Sequence, residues 1–395
     1  MRRALVILLA IGLLLPVGAA EADLRSSLIR QMRQAGSSSG AFVTNLSTGE
    51  RVFAWRARTP RILASNTKLF TSAAALARFG TEGTLGTEVL GAGTLDADGI
   101  WRGDLYLRGG GDPSFGSSAL AQLAGLLEDV GIERVTGRVY GDESRHDSLR
   151  GGPDSGYGVS IWVGPLSALS FNEGRASSGF QVDPPTFAAA RLDGALEARG
   201  IPVRLRPRAA AAPEDSEVLA SVDSPPMETL VQLMNKPSDN FFAEILAKDL
   251  AMQAGGQGTT PAGARLAAGF ARRLGARARL VDGSGLSRGN RASPYRVARL
   301  LAAMSRRDEY DAFVDSLPIA GRDGTLKKRM RRTPARDRCR GKTGTLSNVS
   351  SLSGYCEALS GDTYAYSILM NRVYTPGAQA LQDRMLQAIA AESLP

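Results

Sequence analysis

In the stretch Ala64-Ser65-Asn66-Thr67-Lys68-Leu69-Phe70 a serine precedes a lysine by three residues. Leu69, Phe70, Ala73, Ala74, Leu76 and Ala77 then follow at helical spacing. Pro60 and a short polar run before the serine mark where the helix begins. The spacing predicts Ser65 in the first turn of a buried helix, with Lys68 one turn later on the same face. A lysine amine placed there is desolvated, which lowers its pKa, and in its neutral form it can take the serine proton. The helix N-terminus adds backbone N–H groups beside the reacting oxygen. Two strand-like runs precede this helix, Gly40 to Leu46 and Arg51 to Trp55, joined by Ser47-Thr48-Gly49-Glu50 as a hairpin turn. A strand pair feeding a buried helix predicts an α/β layer with the serine at its edge. Taken alone, Ser65 also suits a helix cap, and the two-residue pattern is short enough to arise by chance. The rest of the chain decides between these readings.

Only one of the six lysines, Lys68, has serine three residues before it, and arginine outnumbers lysine by 42 to 6. The chain also has a single histidine, His146, in a polar loop-like stretch. A Ser-His-Asp triad would have to use it, and a metal site would have to combine it with Cys339 and Cys356, a poor ligand supply. A serine enzyme built from this sequence is therefore expected to use lysine as its base, with no metal and no cofactor.

The N-terminus reads Met1-Arg2-Arg3, an uncharged run from Ala4 to Ala20, and Ala20-Glu21-Ala22. A basic start, an apolar middle and a small-x-small end make residues 1–22 a signal peptide. An uncleaved anchor is the alternative, but the run is shorter than a spanning helix needs. The mature chain is expected to be exported and soluble, in the periplasm or another extracytoplasmic wall space. The formal net charge of +9 favours anionic surroundings or simple solubility, and no nucleic-acid motif accompanies it. No obligate protein partner is evident, and the oligomeric state is left open.

Beyond the first helix the texture changes. From residue 84 to 222 Gly and Pro are frequent and short strands alternate with turns, with helices expected over 118–130 and 185–199. This predicts one or two inserted α+β modules, leaving 23–83 and 223–395 as a discontinuous catalytic domain. Gly109 to Asp112 lacks the Gly-Lys-Ser/Thr of a phosphate loop and reads as a turn. After the insertion comes Lys236-Pro237-Ser238-Asp239-Asn240-Phe241-Phe242, where Pro237 breaks one helix and an apolar helix follows. The connection can present Ser238 for proton relay and Asn240 to a substrate amide or to Lys68. Ser170-Phe171-Asn172 has the same Ser-x-Asn form but no following helix.

The third motif, Lys342-Thr343-Gly344-Thr345, occurs once. There Lys342 would be a fixed cation for a substrate carboxylate. Gly344 would admit close backbone approach, and the Thr345 N–H would join the Ser65 N–H in an oxyanion hole. If Thr345 pairs with Ser350 around a tight turn, the same register sets Cys339 opposite Cys356, at a spacing that suits a disulfide. Two buried free thiols are the alternative.

Ser-x-x-Lys, Ser-Asp-Asn and Lys-Thr-Gly in this order resemble the signature of penicillin-binding proteins and serine β-lactamases. Lys236 to Glu244, Asp282-Gly283-Ser284-Gly285-Leu286-Ser287 and Lys342 to Ser347 are similar to the D-alanyl-D-alanine carboxypeptidase/endopeptidase family, the low-molecular-mass class C penicillin-binding proteins. So is the long insertion between Ser65 and Ser238. The resemblance implies a penicilloyl-serine transferase fold, with an antiparallel five-stranded sheet flanked by helices. It implies peptidoglycan stem peptides as substrate and β-lactams as covalent inhibitors. Ser65 would be the nucleophile, Lys68 its base and Ser238 a proton relay. Asn240, Lys342, Thr343 and Thr345 would hold the substrate. The alternatives are a β-lactamase or esterase using the same motifs, and a non-catalytic wall-binding scaffold.

Overall fold

A computed structural model describes residues 18–152, 156–177 and 179–393. Most of the signal segment expected over 1–22 lies outside them. Helix α1 (Gly18–Gln34) leads into β1 (Ser39–Asn45) and β2 (Arg51–Trp55), an antiparallel pair with Val43 opposite Phe53. A 3₁₀ turn over Ala64–Asn66 opens α2 (Thr67–Phe79). Leu69, Phe70, Ala73 and Leu76 on α2 are completely buried. Each large apolar side chain so removed from water contributes about 1.5–3 kcal/mol. This burial fastens the head of the helix in place.

The insertion follows. Its strands are β3 (Gly86–Leu95), β4 (Ile100–Arg108), β5 (Val139–Asp142) and β6 (Glu217–Asp223). They form one sheet in the order β5-β4-β3-β6, extended by short pairings at 208–209 beside β5 and at 134–135 beside β4. Helices α3 (Ser117–Asp129) and α4 (Pro184–Glu197) pack on it through Leu120, Leu123, Leu127, Leu192 and Leu196. These strands and helices share one core, and a separate short hairpin pairs 175–176 with 179–180. The sheet also runs to Asp223, and the segment around 145–166 leaves it. Val163 and Leu166 are buried instead with the catalytic helices, and Tyr157 packs against the same cluster.

After β6 come α5 (Met227–Asn235) and α6 (Asn240–Gln253), then α7 (Thr260–Arg273), α8 (Pro294–Met304) and α9 (Tyr310–Asp315). The chain closes with β7 (Cys339–Leu346), β8 (Val349–Glu357), β9 (Thr363–Asn371) and α10 (Thr375–Ala390). The main sheet is antiparallel throughout, in the order β7-β8-β9-β1-β2. Its three inner strands, β8, β9 and β1, are buried almost residue for residue, because helices cover both faces. On one face Leu352, Tyr366, Ile368 and Met370 meet α1 and α10 through Leu28, Leu386 and Ile389. On the other, Tyr355, Ala365 and Leu369 meet Phe70, Leu301 and Met304. In the β7–β8 hairpin Thr345 lies opposite Ser350 and Cys339 opposite Cys356, and the two cysteines are joined in a disulfide.

Candidate active site

Ser65 stands on the 3₁₀ turn, where Ala64 before it adopts a left-handed backbone with φ of 47°. An alanine holds that conformation only where its surroundings compel it. Here the Ser351 hydroxyl donates to Leu63 O at 2.7 Å, and the Asn66 amide donates to Lys342 O at 2.8 Å. Gly285 presses from the other side, since a Cβ on it would fall 1.9 Å from Ala64 O. The turn is therefore clamped between β7, β8 and the loop around Gly285.

Lys68 is completely buried. Its Nζ lies 3.3 Å from Ser65 Oγ, 2.6 Å from Asn240 Oδ1 and 2.8 Å from Ser284 O. Burial lowers its pKa to about 8, against the opposing pull of Asp239, Glu244 and Asp282. A neutral amine keeps two N–H bonds and one lone pair. Asn240 Oδ1 and Ser284 O are the two near acceptors, so the lone pair is left for the Ser65 hydroxyl.

Sequence reasoning did not assign the groups that build this pocket. Glu244, buried on α6, accepts from Ser284 N at 2.7 Å and Gly283 N at 3.2 Å, and so turns Ser284 O toward Lys68. Asp282 accepts from Gly285 N at 2.8 Å, Ser287 N at 2.7 Å and the Asn290 amide at 2.7 Å. Burial and the neighbouring Glu244 push its pKa up. Both residues lie in motifs legible as strings, but nothing in the strings says that the Gly283–Ser287 turn docks under α2.

Ser238 sits at φ 67° between α5 and α6, and Asp239 caps α6 by accepting from Phe242 N at 3.0 Å. Asn240 is the first residue of that helix. Both ends of its amide are engaged, since Nδ2 donates to Trp162 O at 2.8 Å. Lys236 pairs with Asp323 at 2.7 Å and accepts at its carbonyl from Thr325 N, which brings the 323–326 loop beside Ser238. The other Ser-x-Asn is turned inward, with Ser170 buried and donating to Pro165 O.

A cleft of about 570 Å³ brings together Ser65, Ser238, Asn240, Thr343, Gly344 and Thr345. Trp162, Thr325 and Leu286 are also in its walls. Lys342 does not line it. Its side chain is completely buried, with Nζ donating to Thr343 O at 3.1 Å, and burial together with Lys68 holds its pKa well below the usual lysine value. The group facing the cleft is instead the Thr343 hydroxyl, which donates to Thr325 Oγ1 at 2.7 Å. Gly344 lies against the nucleophile, since a Cβ there would fall 2.9 Å from Ser65 N and 2.2 Å from Ser351 Oγ. β7 is the edge of the main sheet, and residues 318–320 cover only its first residues. Among the described residues no cluster of three His, Cys, Asp or Glu could hold a metal ion.

The model of the D-Ala-D-Ala carboxypeptidase 3 (S13) family matches residues 21–178 and 172–392, nearly the whole chain. The chain belongs to that family. It is 30% identical to the D-alanyl-D-alanine carboxypeptidase of Actinomadura sp. (strain R39), over 90% of this chain and 81% of that one. Its fold is that of penicillin binding protein 4 (dacB) from Haemophilus influenzae, with a TM-score of 0.77 at 21% identity, covering 91% of this chain and 97% of the other. A further fold match is the Bd3459 predatory endopeptidase of Bdellovibrio bacteriovorus, solved acylated by penicillin G and with an immunity protein bound. There the TM-score is 0.57 at 17% identity, covering 91% of this chain and 94% of that one.

Proposed function

We propose that this S13-family chain is a serine D-Ala-D-Ala carboxypeptidase, acting also as a DD-endopeptidase, that cleaves peptidoglycan stem peptides through an acyl-enzyme on Ser65. The observation that carries the reading is the coordination of Lys68, whose two near acceptors leave its lone pair to Ser65. In this mechanism the stem peptide lies along the free edge of β7 as an added strand. Ser65 Oγ attacks the carbonyl between the two D-alanines while Lys68 Nζ takes its proton. The Ser65 and Thr345 N–H groups stabilise the oxyanion. Ser238 passes a proton to the departing amine, and D-alanine leaves. Water then attacks the ester, releasing the shortened peptide and restoring Ser65. Thr343 and Thr325 receive the terminal carboxylate, with the buried Lys342 beside Thr343. Asn240 positions Lys68. β-Lactams acylate the same serine. Work on stem peptides places the protein outside the cytoplasm, in keeping with the signal-like N-terminus. Among the described residues no helix is long and apolar enough to cross a membrane.

The test is intact mass spectrometry after mixing with benzylpenicillin, alongside a Ser65→Ala variant, followed by assay of D-alanine release from a stem pentapeptide. A lasting adduct on the parent only, with D-alanine release, is expected. Rapid loss of drug without an adduct would point to a β-lactamase. Intact drug and no adduct would point to a non-catalytic wall-binding protein.

A further inference from the structure

A second concavity lies away from Ser65, at the other edge of the main sheet. It has a volume of about 770 Å³ and runs between β1, β2 and α8. Its rim carries Arg51, Arg56, Arg58, Arg299 and Arg306, all exposed, against a single carboxylate, Glu50. None of the five arginines makes an ion pair with a described residue. Arg56 donates to Gly36 O at 3.2 Å, and the Arg58 guanidinium stacks over the Tyr295 ring at 4.6 Å. The floor is apolar, a small cluster of Phe42, Ala57 and Ala298 with Tyr295 against it. Unpaired guanidinium groups around an apolar floor suit a ligand with carboxylates at one end and small apolar groups beside them. None of the exposed large apolar side chains lies in this groove, which is concave and has nothing to insert into a bilayer.

The proposed reaction narrows the ligand further. Its substrate ends in a carboxylate, and each cut leaves the stem peptide ending in a new one, so the polymer displays a series of alanine-bearing carboxylate ends. The strand order separates β7 from the β1–β2 edge by three to four strand spacings, roughly 15–20 Å. In the proposed mechanism the stem lies along β7, parallel to the strands, so a stem seated in the catalytic cleft does not cross the sheet to fill the groove as well. We infer that the arginine-rimmed groove is an exosite that binds the carboxylate end of a second stem peptide on the same polymer while Ser65 works on the first. This rests on the proposed function for the identity of the polymer. The site itself rests on the arginines and the floor.

The experiment uses the full chain in a Ser65→Ala background, so that binding is read without cleavage. Sedimentation with insoluble peptidoglycan is compared with that of a variant also carrying Arg58→Gln, Arg299→Gln and Arg306→Gln. The triple substitution is expected to weaken binding about tenfold, with part of the parent's affinity lost at high salt. Amidating the polymer's carboxylates is expected to weaken the parent by a similar factor. With Ser65 restored, the triple variant should react with benzylpenicillin and a soluble pentapeptide at the parent's rates and lose rate only on the polymer. Unchanged sedimentation, or equal binding to amidated polymer, overturns the inference. So does a triple variant that loses only binding to phosphatidylglycerol vesicles, which would make an anionic lipid the occupant. Failure of the parent to cut the pentapeptide would remove the proposed function and leave the sedimentation result standing.

Discussion

Lys68 shows how much of the chemistry is decided by the atoms around one amine. Burial lowers its pKa to about 8, while Asp239, Glu244 and Asp282 resist that shift. Only the neutral form can take the Ser65 proton, and the neutral fraction grows as pH rises through the pKa. The rate of acylation by benzylpenicillin is therefore expected to climb with pH, reach half its limit near pH 8 and level off above it, as stopped-flow measurements across pH would show. Asp239→Asn keeps a capping oxygen for Phe242 N but removes a negative charge that favours the ammonium. The midpoint should then move to lower pH. A midpoint that stays in place or moves up would mean that Lys68 is not the titrating base. The lysine and serine were legible as a pair in the sequence. Glu244 was present in a quoted motif, but its hold on Ser284 N joins residues forty positions apart, and no local pattern reports that.

Among elements, the decisive contact is the edge strand β7 against the turn that opens α2. It exists because Gly344 has no side chain. A methyl group there would meet Ser351 Oγ, Ser65 N and Leu63 O together, and two of those three atoms are backbone that cannot step aside. Gly344→Ala is expected to displace the strand from Ser65 and slow acylation by about a hundredfold with the fold retained, measured by penicillin-binding kinetics and circular dichroism. The opposite end of the same hairpin carries the Cys339–Cys356 disulfide, with a sequence separation of 17. Replacing both cysteines by serine should lower stability by about 3 kcal/mol in a denaturant titration and leave the acylation rate near that of the parent. The hairpin register could be worked out from residue numbers, because an antiparallel pair conserves the sum of its partners' positions. Helix α7 gave no comparable signal, although its buried Gly263 and Ala264 pack it closely on α6.

At the scale of the molecule, the insertion is joined to the catalytic part by more than its two chain crossings. The segment beyond β5 returns to α6, where His146 Nε2 lies 2.7 Å from Asp249 Oδ1 and Lys248 pairs with Asp147 at 2.6 Å. Both His146 and Asp249 are buried, and burial, with Lys248 and Arg145, lowers the His146 pKa to about 3. His146→Leu strips Asp249 of its partner and should cost about 1–3 kcal/mol, read as a lower unfolding midpoint, while Ser65 still acylates. Sequence reading placed His146 in a polar loop. The loop is polar in composition, but the fold takes it inside because His146 and Asp147 find partners in Asp249 and Lys248 on α6. The same return of the chain delivers Trp162 to the cleft and its carbonyl to Asn240.

By itself the sequence located the Ser65–Lys68 pair and the order of the motifs, since each depends on spacing within one helix, turn or strand. It also determined the hairpin register and the helix at the head of which Ser65 stands. Only the tertiary structure decided that Lys342 is wholly buried, that Thr325 joins Thr343, and that Glu244 and Asp282 build the floor under Lys68. It likewise decided that a segment after β5 folds back on α6, and that five arginines from β2, the segment after it, α8 and the turn that follows α8 share one groove. These depend on contacts between residues far apart in the chain. Packing and the pairing of buried polar groups select such contacts, and neither leaves a periodicity to read.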